Sequence, residues 1–193
     1  MPDRPYHHGN LRAALLAAAE QTLRERGADQ VSLRDLARQV QVSHGAPSRH
    51  FRDRQALLDA LAAEGFARLG DEVAAAIKNA GDDFEAQLRA VAAGYVRFAV
   101  EDAALLELMM SAKKDPGRPD ALSAAPERPY TLLTELIRHG QESGRLQPGD
   151  PERLQLIIVA TFQGIAALVS SHRVPRQQLD ALVTDAAALF VRG

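Results

Sequence analysis

Apolar residues recur at helical spacing along almost the whole chain, and no stretch alternates as a strand would. Leu15, Ala18, Ala19, Thr22 and Leu23 fall at i, i+3, i+4, i+7 and i+8, the buried stripe of a first helix. Gly27 stands where glycine commonly closes a helix. Val31 precedes Ser32, an N-cap, with Asp35 three residues on as its capping-box partner. Leu33, Leu36, Ala37 and Val40 form the apolar face of a second helix, and Ser43 caps a third that runs to about Phe51. Asp53 opens a long fourth helix in which Leu57, Leu58, Leu61, Gly65, Leu69 and Val73 keep helical spacing towards Asn79.

Gly81 and Asp82 interrupt the pattern, and a fifth helix (about 83–100) and a short sixth (103–112) follow. Residues 113–129 carry Pro116, Gly117, Pro119, Pro126 and Pro129, the composition of a loop. A seventh helix runs from about Pro129 to Ser143 and stops at Gly144. Asp150-Pro151 is an N-cap followed by proline at the first helical position. The eighth helix, about 151–172, is apolar nearly all round, which calls for cover on more than one side. Pro175 opens a ninth, striped by Leu179, Leu182, Val183, Ala186 and Phe190. The expected fold is all-α with about nine helices: a small three-helix domain over residues 1–52 and a larger helical bundle over 53–193.

Composition narrows the chemistry. The 193 residues include no cysteine, which excludes a disulfide framework and a thiolate metal site and suits a reducing cytoplasm. The start, Met1-Pro-Asp-Arg-Pro-Tyr-His-His, lacks a signal peptide's apolar core. The longest apolar stretch, Ile157 to Val169, is interrupted by Thr161 and Gln163 and falls short of the roughly 20 residues that span a bilayer. A cytoplasmic protein with no membrane partner is expected. Net charge is −2, but unevenly spread: residues 1–55 hold nine Arg and six acids, while the rest is acidic. A basic front suits a polyanion partner.

The segment Val31 to Leu58 reads as a helix-turn-helix, in which the second helix of the pair lies in the major groove of DNA and the first crosses the backbone. Ala37 is small where the two helices approach, and Gln41-Val42-Ser43 is the turn, with Val42 buried. The next helix offers His44, Gly45, Ala46, Ser48, Arg49 and His50. Arg and Ser hydrogen-bond phosphates or base edges, and Gly45 permits close approach to the backbone. Ser32, Arg34, Ser43 and Arg54 complete the candidate DNA-binding set, and Phe51 anchors it to the core. An N-terminal arm bearing Arg4, Tyr6, His7, His8 and Asn10 is a further candidate for a minor-groove or phosphate contact.

The spaced positions Val42-Ser43, Gly45, His50-Phe51, Arg54 and Leu57-Leu58, extending back through Ala18-Ala19 and Gly27, resemble the TetR family of bacterial transcriptional regulators over roughly residues 10–60. Tyr95-Val-Arg-Phe-Ala with Leu105 to Met110 faintly resembles one ligand-domain subgroup. The resemblance implies a homodimer that binds a palindromic double-stranded DNA operator and is released, as a repressor, by a small-molecule effector. Four positions depart from the pattern. Gln41 replaces a frequent turn glycine, Ala46 a common Thr, and Ser48 an aromatic. Pro47 lies inside the third helix, where its missing N–H removes the first intrahelical bond.

The rest of the chain offers candidates and no motif. Tyr95, Phe98, Met109, Met110, Tyr130, His139, Phe162 and Gln163 are the candidate ligand-pocket residues, an apolar set with a few polar groups. Ile158, Phe162, Leu168, Leu179 and Val183 are candidates for an isologous dimer interface built from the last two helices. His44 and His50 stand six apart, off a shared helix face, and no acid or metal-ligand set accompanies them. Neither a metal nor a cofactor is expected, and no catalytic residue is assigned. The alternatives are a helical protein-interaction module with a weakened DNA-binding head and a helical enzyme using His44 or His50.

Overall fold

The computed structural model describes residues 11–113 and 127–192. The N-terminal arm and most of the proline-rich loop lie outside the described residues. Among those described there are eight α-helices and no strand: α1 Leu11–Arg26, α2 Leu33–Gln39, α3 Arg54–Asn79, α4 Phe84–Glu101, α5 Ala103–Lys113, α6 Glu127–Glu142, α7 Pro151–Ser170 and α8 Leu179–Ala188. They fall into two compact units. The head holds residues up to Gly65 together with α5, and the bundle holds Phe66–Ala103 and the residues from α6 onward. The chain of α3 belongs to both.

The helices of the head begin and end where local chemistry dictates. Gly27 closes α1 at φ 83°, a conformation that a side chain disfavours, and donates its N–H to the Leu23 carbonyl at 2.9 Å. The Ser32 hydroxyl accepts from the Asp35 N–H at 3.1 Å and donates to the Asp35 carboxylate at 2.8 Å, so the capping pair is closed. Asp53 Oδ1 accepts from the Ala56 N–H at 2.7 Å at the start of α3. Leu15, Leu16, Ala19, Leu23, Leu36, Phe51, Leu57 and Leu61 are buried as the head's core. Met109 of α5 packs on Gly65: a Cβ there would stand 2.7 Å from the Met109 sulfur, so glycine is what lets the two helices meet.

The expected third helix is not an α-helix. Residues 43–51 form successive turns whose only regular piece is a 3₁₀ turn, Pro47–Arg49. In an α-helix starting at Ser43, the Ser43 carbonyl would accept from residue 47. Proline has no N–H, and the bond is made instead by Ala46, one residue earlier, at 2.9 Å. The i→i+3 pattern continues with Arg49 to the Ala46 carbonyl and His50 to the Pro47 carbonyl. Val42 is half-buried, less covered than expected.

In the bundle, α7 packs against α4, α6 and α8. Asp83 and Asp150 cap α4 and α7, accepting from Glu85 and Glu152 at 3.2 and 2.9 Å. Phe84, Leu88, Val91, Val96, Leu133, Ile137, Leu146, Ile158, Phe162 and Val183 are buried. The ninth expected helix opens as a 3₁₀ turn, Arg176–Gln178, before α8. By length and composition α7 reaches what a bilayer span requires, contrary to the sequence expectation. It packs on α4, α6 and α8, and 28% of its apolar window is buried.

Candidate nucleic-acid interface and ligand cleft

The turn that sets the reading segment is strained. Gln41 has φ 58°, left-handed, where a side chain costs about 1–2 kcal/mol. Its N–H donates to the Arg38 carbonyl at 3.2 Å, and Val42 returns to the Ala37 carbonyl at 2.9 Å. These bonds close α2 and turn the chain outward. Pro47 and Phe51 then point inward and are buried. The Arg12 guanidinium lies 5.6 Å above the Phe51 ring and reaches Glu64 at 3.2 Å, roofing the anchor from outside.

Around those two anchors Ser43, His44 and Gly45 before Pro47, and Ser48, Arg49 and His50 after it, are exposed, with Ala46 half-buried among them. Arg34 is exposed on α2. Arg34 and Arg49 make no ion pair among the described residues, whereas Arg38 and Arg52 are paired with Asp35 and Asp53 at 3.0 and 3.1 Å. Two candidates do other work. Arg54 donates to the carbonyls of Val31 and Ala28 at 2.9 and 2.6 Å and clamps the loop between α1 and α2. The Ser32 hydroxyl is engaged by Asp35. The Ser43 hydroxyl caps nothing, contrary to expectation, because the helix it was to cap is replaced by turns.

In the bundle a small cleft of about 20 Å³, room for about one water, is lined by Leu88, Val91, Ala92 and Tyr95 of α4, Leu133 of α6, and Ile158, Val159 and Phe162 of α7. Tyr95 and Phe162 were expected there. The four α4 residues stand at i, i+3, i+4 and i+7, a stripe legible in the sequence but indistinguishable from ordinary core. The Tyr95 Oη is buried and has no hydrogen-bond partner among the described residues. Burial, reinforced by the neighbouring Tyr130 phenol, pushes its pKa up to about 12. Burial raises that of Tyr130 as well. Gln155, missed from sequence, donates to the Tyr130 carbonyl and the Thr134 hydroxyl at 2.5 and 2.7 Å and ties α7 to the start of α6.

Several expected pocket residues stand elsewhere. Phe98 is buried beneath the Arg68 guanidinium, 5.9 Å from its ring centre. Met109 and Met110 belong to α5 in the head unit. His139 and Gln163 are exposed. Among the described residues no cluster of three His, Asp or Glu could hold a metal ion.

The candidate dimer residues differ in exposure. Ile158, Phe162 and Val183 are buried within the protomer and cannot meet a partner, and Leu179 is half-buried. The exposed apolar residues of α7 are Leu156, Ile157 and Leu168, with Leu189 just past α8. Because α7 is apolar all round, the sequence marked it as doubly covered without saying which side faced inward.

Residues 15–61 match the model of bacterial regulatory proteins of the tetR family, and residues 88–191 match that of the tetracyclin repressor-like C-terminal domain. The chain belongs to the TetR family. A solved structure from Rhodococcus sp. RHA1, of a protein with unknown function, shares 44% identity over 97% of both chains with a TM-score of 0.89. A TetR family transcription regulator from Marinobacter aquaeolei VT8 matches the fold at 16% identity, covering 96% of this chain and 97% of its own, with a TM-score of 0.76. The regulator FadR from Bacillus subtilis, solved with stearoyl-CoA, matches at 18% identity over 94% and 98% of the two chains, with a TM-score of 0.72. No curated protein matches significantly.

Proposed function

We propose that this TetR-family chain is a cytoplasmic repressor that binds a palindromic operator as a homodimer and leaves it when a small molecule occupies the bundle. Residues 1–52 act as the reading head and 53–193 as the sensing and dimerising part. The observation that carries the reading is the outward segment from Ser43 to His50, pinned by the buried Pro47 within it and Phe51 at its end, with Arg49 and Arg34 unpaired with acids among the described residues. Arg49, Ser48 and His44 contact bases or phosphates, Arg34 a phosphate, and Gly45 lets the backbone approach. Ser32 and Arg54 support that surface by fixing the loop and the first turn of α2.

The uncovered apolar residues Leu156, Ile157, Leu168 and Leu189 support the homodimer, since such a two-helix face meets its symmetry mate as an isologous interface. Two heads one DNA turn apart, roughly 34–36 Å, read the two half-sites. An effector in the bundle shifts operator affinity by as much as it prefers one conformer over the other. The small apolar cleft at Tyr95, beside a buried hydroxyl, marks the candidate effector site.

One observation favours a second reading, an interaction module with a weakened head: the segment expected to enter the groove is a 3₁₀ turn. Selection of bound duplex from a random pool separates the two. A recovered palindrome with half-sites one turn apart supports the repressor. A pool that stays random after repeated rounds, at low and physiological salt alike, leaves the interaction module.

A further inference from the structure

We propose that α7 lies antiparallel against α7 of a second copy of this chain, with Gly164 on the two-fold axis. This rests on the homodimer reading above and fixes its seam. Arg153, Ile157, Ala160, Gly164, Leu168 and Ser171 recur every three or four residues, so they share one helix face, and all six are exposed. Ile157 and Leu168 on that face are 49% and 40% exposed, and Leu156 at its flank 68%. A continuous apolar surface of this kind is one that a partner covers.

Size, charge and backbone access make a second copy the occupant. An isologous interface must be complementary to itself, because each residue that meets another is met by it in turn. With the axis at Gly164, Ala160 of one copy faces Leu168 of the other, and Ile157 faces Ser171, a small side chain against each large one. The charges agree. Asp150 and Glu152 stand at the start of α7, and His172 and Arg173 just past its end. An antiparallel pair sets the acidic end of one copy beside the basic end of the other, whereas a parallel pair sets like beside like. Arg153 then approaches the negative end of the mate's helix dipole. Glycine weakens a helix interior relative to alanine, yet nothing packs within 4 Å of the place a Cβ would take at Gly164. Gly65 and Gly140, by contrast, are crowded by Met109 and Phe84 of the same protomer. On the axis, Gly164 lets two backbones close on each other.

The chain has no cysteine, so introduced cysteines report the seam without background. Gly164→Cys, Ile157→Cys and the double variant Ile157→Cys, Ser171→Cys are made in the full-length protein, oxidised with diamide and resolved on non-reducing gels. Two copies of residue 164 stand side by side, while two copies of residue 157 lie about 21 Å apart along the pair, beyond the ~7 Å that a disulfide spans. Gly164→Cys and the double variant are expected to link into dimers, and Ile157→Cys alone is not. Gly164→Leu is expected to raise the dimer dissociation constant by about 100-fold or more in sedimentation, because a side chain there holds the two backbones apart. Its helicity by circular dichroism is expected to be unchanged, since the protomer leaves that space open. Ile157→Cys linking as readily as Gly164→Cys, failure of both Gly164→Cys and the double variant to link, or a Gly164→Leu variant that stays dimeric overturns the proposal. So does an unaltered protein that is monomeric at micromolar concentration, which leaves the face to a partner other than a second copy.

The same samples are tested against duplex selected from the random pool. Specific binding by a dimer that lacks the Gly164 link removes the seam and leaves the regulator. The linking pattern without specific DNA binding supports the seam and removes the regulator.

Discussion

The head and the bundle handle polar groups in opposite ways. In the head, the groups that shape the backbone are satisfied at short range: Ser32 by Asp35, Arg54 by two carbonyls, and Gln41 N–H by Arg38. The side chains left over, Ser48, Arg49 and His50 among them, face outward. In the bundle, a lone hydroxyl is sunk among apolar side chains and left unpaired. A surface meant for a wet, charged partner keeps its polar groups in water. The bundle instead sinks one donor beside a small apolar cleft. The contrast teaches that stored strain differs too: backbone strain at Gln41 in the head, an unsatisfied donor in the bundle.

The largest expected effect tests whether the head hangs on its anchor. Phe51→Ala removes a ring that is 3% exposed and roofed by Arg12. A loss of about 3–5 kcal/mol is expected in urea unfolding, with hydrogen exchange rising in α1 and α2 and not in α7. Uniform exchange through both units would erase the distinction between them.

A smaller effect sharpens the bundle side. The Tyr95 phenol ionises near pH 10 in the unfolded chain and near 12 in the folded one, so its folded-state pKa is raised. Below about pH 10 both states hold the proton and stability is undiminished. From there to about pH 12 the unfolded state alone releases it, and stability falls by about 2–3 kcal/mol. Tm measured from pH 8 to 12 is expected to fall less steeply in Tyr95→Phe. Identical slopes would place the phenol in water.

The smallest effect probes the strained turn. Gln41→Gly relieves a left-handed residue and is expected to stabilise the head by up to about 1 kcal/mol, less the entropy glycine adds to the unfolded chain. A destabilised variant would mean that the Gln41 side chain holds the turn through its own contacts.

What was legible in the sequence was what short-range chemistry decides. Ser32 with Asp35, Gly27, Asp53, Asp83 and Asp150 each mark a helix end within three residues, and each lies at one. Pro47 was legible as a missing donor, but the run of turns that the reading segment forms around it was not. Faces of α7 were illegible because apolar residues surround it. Ile157 is exposed and Ile158 buried by virtue of which neighbours pack against the helix, and no local signal separates them. The cleft was half legible: Tyr95 and Phe162 stood out by type, while Leu88, Val91 and Ala92 form the same stripe that any core helix shows.

The central claim is that the outward segment reads DNA by sequence, and operator affinity against salt tests it most directly. Binding to the selected palindrome is measured beside a scrambled duplex for the protein and for Arg49→Ala. The palindrome is expected to win by about 10³-fold or more at physiological salt, with both affinities falling as salt rises. Arg49→Ala is expected to lose about 1–3 kcal/mol on the palindrome if Arg49 reaches a base, and little on the scrambled duplex. Equal affinity for the two duplexes at every salt, unchanged by Arg49→Ala, would contradict the claim.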